Sequence, residues 1–398
     1  MHILTITSLF PNSVQPVHGL FIRARMEDFT KRYGHAWTVI APVPWYPRLP
    51  FPTSEVYDRF ARVPKLEQDR GYPVHHPRYL VAPNIGMRFQ GRSMAMGIRR
   101  LVREIHSRRP VDLVDGHYIY PDATAALEAG RLAGAPVLLS ARGTDLNLFP
   151  RFPAIRRRIR ENLGTCGHLI CVCSDLQTVA LELGMDPARI SVIGNGVDTA
   201  RFRPLPKDVS RRNLKLPAEG RIILSVGHLT ERKGFHILLR AFSMLRERGD
   251  LRVAVAGDGE MRNALHRLAS ELGIADRVIF PGAVGNDALP EWYAASDVFV
   301  MASSREGWPN AVCEALACGL PVVGTRVWGM PEIVTGPELG MLIPERTPEA
   351  LSKALEKALA ASWDREAIAR SGGARTWSQV SDQLRPIFDS LAARAAGR

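Results

Sequence analysis

Short apolar runs alternate with amphipathic stretches along most of this 398-residue chain. The runs are rich in Val, Ile and Leu, as in buried strands, and several of the stretches between them repeat apolar residues at helical spacing. Alternating strands and helices predict a mainly parallel, doubly wound α/β sheet. In the first half, the pattern predicts strands at residues 3–7, 37–40, 111–114, 137–140, 169–173 and 190–193, and helices at 20–33, 123–132 and 176–183.

The alternation stops and then restarts in the second half. Residues 204–220 are polar, contain several prolines and show no clear periodicity, so we predict a linker there. It would separate a first Rossmann-like domain at 1–203 from a second one at 221–375, with a helix in 376–398 returning toward the first. Further strands are predicted at 221–226, 251–256, 278–280, 298–301 and 322–324, and further helices at 235–247, 260–272 and 311–317.

Two doubly wound sheets direct our search for chemistry to the carboxyl ends of their strands, where such folds bind ligands. We expect the two domains to face each other across a cleft. Candidate residues are therefore those in loops that follow predicted strands.

The segment S-R-E-G-W-P-N-A-V-C-E-A-L-A-C-G-L-P, residues 304–321, is the most informative of these loops. Pro309 suits the first turn of a helix and Gly319 its end. Free backbone N–H groups at the helix start favour an anionic ligand, and Glu306 and Glu314 on either side can accept hydrogen bonds from hydroxyl groups. A sugar nucleotide has this combination of groups. The alternative is that Glu306 complements the helix dipole and Glu314 lies on a solvated helix face.

A second loop, S-V-G-H-L-T-E-R-K-G-F at residues 225–235, also joins a strand to a helix. His228, Arg232 and Lys233 place positive charge where it can stabilise a departing phosphate. A solvated Arg-Lys pair is the alternative. The nearby A-G-D-G-E lacks the third glycine of a dinucleotide-binding loop, because position 262 is arginine.

In the first half, three loops follow strands in the same way. His117 follows one strand, and its alternative role is a structural hydrogen bond. Asp145 follows another within Arg142-Gly143-Thr144-Asp145, and Gly19 precedes the first predicted helix, where backbone N–H groups can approach a diphosphate.

These motifs resemble those of the retaining glycosyltransferases of family 4, which have the GT-B fold. The resemblance rests on E-G-W-P-N-x3-E-A-L-A-C-G-x-P-V-V, G-H-L-x3-K-G, A-G-D-G and I-G-N-G-V-D-x3-F-x-P, and is close over residues 185–335. Two positions depart from the family pattern: His228 stands where arginine is usual, and Arg142 replaces the first histidine of H-G-x-D.

The resemblance implies roles for individual residues. Glu306 would bind the donor sugar, Glu314 the ribose and Lys233 the diphosphate, while His117 would act near the reacting carbon and Asp145 on the acceptor side. Other donor contacts would come from the loops already described: Gly19, His228, Arg232, Gly307, Trp308, Pro309 and Asn310.

The resemblance also implies a retaining reaction, in which the leaving diphosphate takes the acceptor's proton on one face of the sugar. We see no pair of carboxylates assigned to the two faces of a glycosidic bond, as a glycosidase would need. D-x-D is absent from the sequence, so we expect no metal and no cofactor, only a UDP- or GDP-linked sugar as co-substrate.

Positive charge is concentrated in the first half. Residues 1–203 contain 27 Lys and Arg against 17 Asp and Glu, which is most of the net charge of +12. Arginines alternate with apolar residues at 88–109 and 151–160, a pattern typical of segments that bind anionic lipid surfaces, although solvated helix faces are the alternative. We expect a lipid-linked or other glycan acceptor and no nucleic acid, because stacking aromatics do not accompany the arginines.

The apolar start is too short for a secretion signal, and no stretch reaches the roughly 20 apolar residues of a membrane-spanning helix. Five cysteines without metal-type spacing indicate buried thiols. We therefore predict a cytoplasmic protein, peripheral on the inner face of the cell membrane. Alternatives are a sugar-nucleotide epimerase or hydrolase of the same fold, a non-catalytic glycosyltransferase-like subunit, and, least favoured, a nucleic-acid-binding protein.

Overall fold

The computed structural model describes residues 1–45, 59–81, 86–245 and 249–396. They form two compact units, one of residues 1–195 and 377–398 and the other of residues 196–376. Each unit is an α/β sheet layered with helices, as the alternating pattern predicts. The end of the helix predicted at 235–247 lies outside the described residues.

In the described part of the first unit, eight strands form one sheet in the order β10-β9-β8-β7-β1-β2-β5-β4. Every neighbouring pair is parallel except β4 and β5, which form an antiparallel edge, and β3 and β6 pair separately. The strands are β1 (His2–Ile6), β2 (Ala36–Ile40), β3 (Val43–Trp45), β4 (Leu66–Asp69), β5 (Tyr72–His75), β6 (Arg78–Leu80), β7 (Leu113–His117), β8 (Val137–Ala141), β9 (His168–Cys171) and β10 (Ile190–Val192).

Helices of the first unit connect these strands. They are α1 (Leu20–Tyr33), α2 (Gln90–Arg108), α3 (Asp122–Ala133), α4 (Thr144–Asn147), α5 (Pro153–Thr165) and α6 (Ser174–Glu182). The central strands β1, β7 and β8 are buried along their whole length, as expected for parallel strands covered on both faces. In β7 the buried positions include Asp115 and His117.

The second unit has six parallel strands in the order β13-β12-β11-β14-β15-β16 among its described residues. They are β11 (Arg221–Val226), β12 (Leu251–Ala256), β13 (Val278–Gly282), β14 (Val298–Met301), β15 (Val322–Thr325) and β16 (Gly340–Ile343). Its helices are α7 (Lys207–Asn213), α8 (Phe235–Ser243), α9 (Arg262–Glu271), α10 (Leu289–Ala295), α11 (Asn310–Ala317), α12 (Met330–Ile333), α13 (Pro348–Ala360) and α14 (Arg365–Gly372).

The predicted linker at 204–220 is wrong as a boundary. The units divide after Asn195, and residues 207–213 form helix α7 within the second unit. Arg211 of this helix is buried and donates to Asp297 at 3.1 Å and to the carbonyl oxygen of Ala218 at 2.7 Å. The long-range contact with Asp297 attaches the polar segment to its unit, and the sequence pattern does not reveal it.

The last helix, α15 (Trp377–Ala396), belongs to the first unit. Phe388 on this helix is fully buried, and its ring centroid lies 4.4 Å from that of Phe29 in α1. Ser381 donates to Asp28 at 2.6 Å and thereby adds a polar contact between the same two helices. The end of the chain therefore completes the core of the first unit.

We predict that Phe388→Ala lowers the free energy of unfolding of the first unit by about 3–5 kcal/mol, the usual loss for a buried phenylalanine. Ser390→Ala, at an exposed position of the same helix, should leave it nearly unchanged. Chemical denaturation monitored by circular dichroism measures both. Equal stability of the two variants would show that α15 contributes no core packing.

Candidate active site

The order of the strands in the second unit reverses between β11 and β14. Loops that follow two such strands diverge to opposite faces of the sheet and leave a crevice at the strands' carboxyl ends. The loop after β11 contains Arg232 and Lys233, and the loop after β14 contains Glu306. The candidate residues found in the sequence therefore flank the topological switch point.

Glu306 is only 7% exposed and is held by two cations from the opposite loop. Lys233 Nζ lies 2.7 Å from Glu306 Oε1, and Arg232 Nη1 lies 3.1 Å from the same oxygen. Burial alone would raise the pKa of Glu306, but Lys233 and Arg232 more than offset it and lower the pKa below its ordinary value. The carboxylate is thus ionised, and the site combines one buried anion with two cations.

A glycine allows these two loops to meet. Gly234 follows the short 3-10 turn Glu231–Lys233 and has φ +76°. A Cβ atom at this position would lie 2.0 Å from the carbonyl oxygen of Ala302, directly after β14. Only glycine fits both the left-handed conformation and the close approach, which brings Lys233 to Glu306.

Helix α11 begins after Gly307, Trp308 and Pro309, as the sequence predicts. Glu314 lies in its second turn, half-buried, and accepts a hydrogen bond from the Tyr293 hydroxyl at 2.9 Å. Burial raises the pKa of Glu314 to about 7, against the opposing effects of Tyr293 and Arg201. The two glutamates of the motif therefore have different environments: Glu306 is ionised and paired with cations, and Glu314 titrates near neutrality.

His228 is exposed on the loop after β11, and its Nδ1 lies 2.7 Å from the carbonyl oxygen of Asp258. A carbonyl oxygen only accepts, so Nδ1 bears the hydrogen of this bond. The A-G-D-G loop packs closely here, because a Cβ on Gly257 would lie 1.9 Å from the carbonyl oxygen of Gly227. This is the tight turn that the sequence indicates.

In the first unit the strand order reverses between β1 and β7, and His117 is the last residue of β7. Its ring is fully buried. Nε2 lies 2.7 Å from Asp115 Oδ2, and Nδ1 lies 2.6 Å from Arg142 Nη2. Both ring nitrogens are therefore used within the protein, so direct contact of His117 with a donor sugar would require one of them to be released.

Asp145 is also fully buried, and its carboxylate accepts hydrogen bonds from backbone N–H groups. Ile119 donates at 2.9 Å, Gly143 at 2.7 Å and Arg142 at 3.1 Å. The structure thus places Asp145 in the short helix α4 that follows β8, where it stabilises the backbone at the helix start. Its predicted contact with an acceptor stays a prediction.

Gly19 directly precedes α1 with φ +70°, and a Cβ there would lie 2.1 Å from the carbonyl oxygen of Leu9. A glycine is required because the loop after β1 folds back onto the start of α1. The predicted approach of its N–H group to a diphosphate stays a prediction.

Sequence reasoning missed Tyr293, Arg25 and Asn195 as neighbours of the candidate residues. Tyr293 reaches Glu314 from α10, and Arg25 of α1 lies 3.8 Å from Asp115. An arginine among the buried positions of a helix is the one sequence signal that could have indicated Arg25. The other two are brought to the sites only by the fold.

Within the described ranges, no group of three or more His, Cys, Asp or Glu side chains is arranged to hold a metal ion. No helix in that part of the chain is long and apolar enough to span a bilayer. All five cysteines are buried free thiols.

Two family models match the chain, one in each half. The Glycosyltransferase Family 4 model matches residues 31–201, and the Glycosyl transferases group 1 model matches residues 206–374. The first match ends six residues after the division between the units at Asn195, and the second lies wholly within the second unit.

Known proteins of similar sequence and structure cover nearly the whole chain. A GDP-mannose-dependent alpha-(1-6)-phosphatidylinositol monomannoside mannosyltransferase of Mycobacterium tuberculosis (strain CDC 1551 / Oshkosh) is 30% identical over 99% of this chain and 97% of its own. A Bacillus subtilis (strain 168) protein, provisionally named teichuronic acid biosynthesis glycosyltransferase TuaC, is 28% identical over 90% of this chain and 89% of its own.

The crystal structure of Anabaena Alr3699/HepE in complex with UDP and glucose matches with a TM-score of 0.73 and 20% identity, over 98% of this chain and 100% of that one. At that identity the likeness establishes the fold, which is GT-B with two Rossmann-like domains. The sequence matches extend the assignment beyond the fold. The chain belongs to glycosyltransferase family 4 and is a glycosyltransferase.

Proposed function

We propose that this chain is a retaining, metal-independent hexosyltransferase that moves a sugar from a UDP- or GDP-linked donor to a lipid-linked or cell-surface polysaccharide precursor. The observation that supports it most is the cluster of Lys233, Arg232 and Glu306 at the switch point of the second unit. This cluster offers cations for a diphosphate and a carboxylate for sugar hydroxyls within one hydrogen-bonded group.

Breaking the bond between the anomeric carbon and the diphosphate leaves negative charge on the diphosphate. Lys233 and Arg232 would stabilise that charge, because cations already in place need little reorganisation. Glu306, kept ionised by the same cations, would accept hydrogen bonds from the sugar and orient it. With retention, the acceptor oxygen attacks on the face that the diphosphate leaves, and the diphosphate takes the acceptor's proton.

The names of similar proteins guide the choice of substrates. The Mycobacterium tuberculosis relative is named for GDP-mannose and a phosphatidylinositol mannoside, and the Bacillus subtilis relative for teichuronic acid biosynthesis. The Anabaena structure contains UDP and glucose. We therefore favour a UDP- or GDP-sugar as donor and an acceptor that belongs to a glycolipid or polysaccharide.

Two helices of the first unit support a location on the inner face of the cell membrane. Exposed apolar side chains at Phe89 and Met96 accompany exposed arginines at 92, 100 and 103 on and next to α2. At α5, exposed Phe152 lies among further exposed arginines in sequence. A protein surface that combines exposed apolar and cationic side chains binds favourably to an anionic bilayer.

Thermal-shift measurements with UDP-, GDP- and ADP-sugars would identify the donor, because a ligand that binds only the folded state raises the melting temperature. Product analysis with and without acceptors then tests the reaction class. Donor turnover that needs no acceptor would support an epimerase or hydrolase instead, and no turnover with any donor would support a non-catalytic subunit.

We predict that Lys233→Ala lowers kcat by about 100-fold or more while the fold stays intact, since one charged donor to a transition state typically contributes that much. Glu306→Ala should abolish transfer as well. Lys207→Ala is the matched control, because Lys207 also pairs with a buried carboxylate, Asp297, in the same unit. Near-normal turnover in a folded Lys233 variant would contradict the donor site.

The pKa of about 7 for Glu314 predicts pH-dependent donor binding. An ionised Glu314 accepts hydrogen bonds from ribose hydroxyls at both oxygens, so the dissociation constant of the nucleotide should fall as pH rises through about 7. Glu314→Gln should weaken binding and remove this dependence, whereas Glu291→Gln, at a half-buried position of α10, should keep it. Calorimetric titration across that pH range decides the matter, and a dependence retained in Glu314→Gln would exclude Glu314 as its source.

Binding to vesicles that contain anionic phospholipid should be strong at low salt and weaken as salt rises. Replacing Arg100 and Arg103 together with serine should reduce it by about 30-fold, since each basic residue near such a surface contributes about 1 kcal/mol. Replacing the exposed Arg240 and Arg267 of the second unit removes the same charge as a control. Equal cosedimentation of both variants would argue against α2 as the binding face.

A further inference from the structure

Arg142 follows β8 and makes several contacts in the first unit. Its Nη2 donates to Nδ1 of His117 at 2.6 Å, and its Nη1 donates to Oδ1 of Asn195 at 3.0 Å. The guanidinium also lies over the ring of Phe21, 5.4 Å from the centroid. The side chain is half-buried and is held in one orientation by three different elements.

The contacts of Arg142 determine the tautomer of His117. A guanidinium can only donate, so Nδ1 of His117 accepts and Nε2 bears the hydrogen, which it donates to Asp115 Oδ2 at 2.7 Å. Burial, aided by Arg142 and Arg25 and opposed by Asp115, lowers the pKa of His117 to about 3. His117 is therefore neutral, and the positive charge at this strand end belongs to Arg142.

Arg142 has no carboxylate partner of its own. Asp115 lies 3.8 Å from Arg25 and hydrogen-bonds to His117, and Asp145 accepts from backbone N–H groups. Among the residues that the structure describes, no carboxylate lies within ion-pair distance of the Arg142 guanidinium. Burial, and next the charge of Arg25, lower its pKa, while Asp115 and Asp145 offset this only in part.

A half-buried cation without a counter-ion is unfavourable unless a ligand supplies the missing negative charge. Each terminal nitrogen of Arg142 bears two hydrogens, and the contacts above use one on each. The guanidinium is planar, and its remaining N–H groups lie in that plane, a geometry that suits phosphate oxygens.

We propose that Arg142 binds a phosphate group of a substrate, and that His117 and Asp115 are positioning residues that hold its guanidinium. This deepens the proposed function, on which it rests, because it assigns anion recognition in the first unit to a residue outside the predicted set. The phosphate belongs either to the nucleotide or to a phosphorylated acceptor, and these share the chemistry that Arg142 recognises.

The test compares wild type, Arg142→Lys and Arg142→Gln by calorimetric titration with UDP and GDP and by steady-state kinetics with acceptors that contain or lack a phosphate. We expect Arg142→Gln to weaken binding of the phosphate-bearing ligand by about 10- to 100-fold, the range for loss of a hydrogen bond to a charged group. Arg142→Lys keeps the charge but not the planar guanidinium, so its affinity should lie between those of wild type and Arg142→Gln. Arg189→Gln is the control, since Arg189 is also half-buried but pairs with Asp186.

The affected ligand identifies the source of the phosphate. Weaker UDP or GDP binding assigns it to the nucleotide, whereas unchanged nucleotide affinity with a raised KM for the phosphorylated acceptor alone assigns it to the acceptor. Unchanged values for all ligands in folded Arg142→Gln would overturn the proposal. If Arg142→Gln does not fold, Arg142→Lys still tests the proposal. Dissociation constants and KM values identical to those of wild type in Arg142→Lys would overturn it.

A double-mutant cycle tests the role of His117. If His117 acts through Arg142, adding His117→Gln to Arg142→Gln should cause little further loss, whereas independent roles would give additive losses. Additive losses would overturn the positioning role. Failure of the proposed function would look different: wild type would then transfer no sugar and Lys233→Ala would change nothing, whatever Arg142 does.

Discussion

The contact between Lys233, Arg232 and the buried carboxylate of Glu306 connects the two loops at the switch point of the second sheet. A carboxylate with so little exposure would be protonated or unstable without its cations, so the pairing keeps the loop after β14 in place. It also depends on Gly234, whose lack of a side chain allows the loops to approach. The anion, the two cations and the glycine therefore form one interdependent arrangement.

The first unit uses the same topology with a different distribution of charge. Its sheet also reverses between adjacent strands, β1 and β7, but the side chain at the strand end is a neutral histidine. Arg142 donates to His117, which in turn donates to Asp115, and these hydrogen bonds hold the cation one residue beyond β8. Arg142 stands where the family pattern has a histidine before the glycine. His117, at the end of β7, helps to hold the Arg142 side chain in place.

Burial explains why similar side chains behave differently in this protein. Glu306 and Glu314 belong to one short motif, yet one is ionised beside two cations and the other faces a tyrosine hydroxyl and has a raised pKa. Asp145 follows β8 and Asp115 lies within β7; one accepts backbone hydrogen bonds and the other orients a histidine. In each case the neighbouring element, not the residue type, decides the chemistry.

The sequence by itself determined the strand and helix alternation, the position of the loops that follow β11 and β14, and the family, because these depend on local periodicity, turn residues and short motifs. The division after Asn195, the pairing of Tyr293 with Glu314 and the orientation of His117 by Asp115 and Arg142 were decided only by the tertiary structure. Each of these joins residues from separate strands or helices, and Arg25 and Asp115 are 90 positions apart in the chain. Local pattern contains no information about such contacts, because packing of the finished sheets determines which buried charges meet.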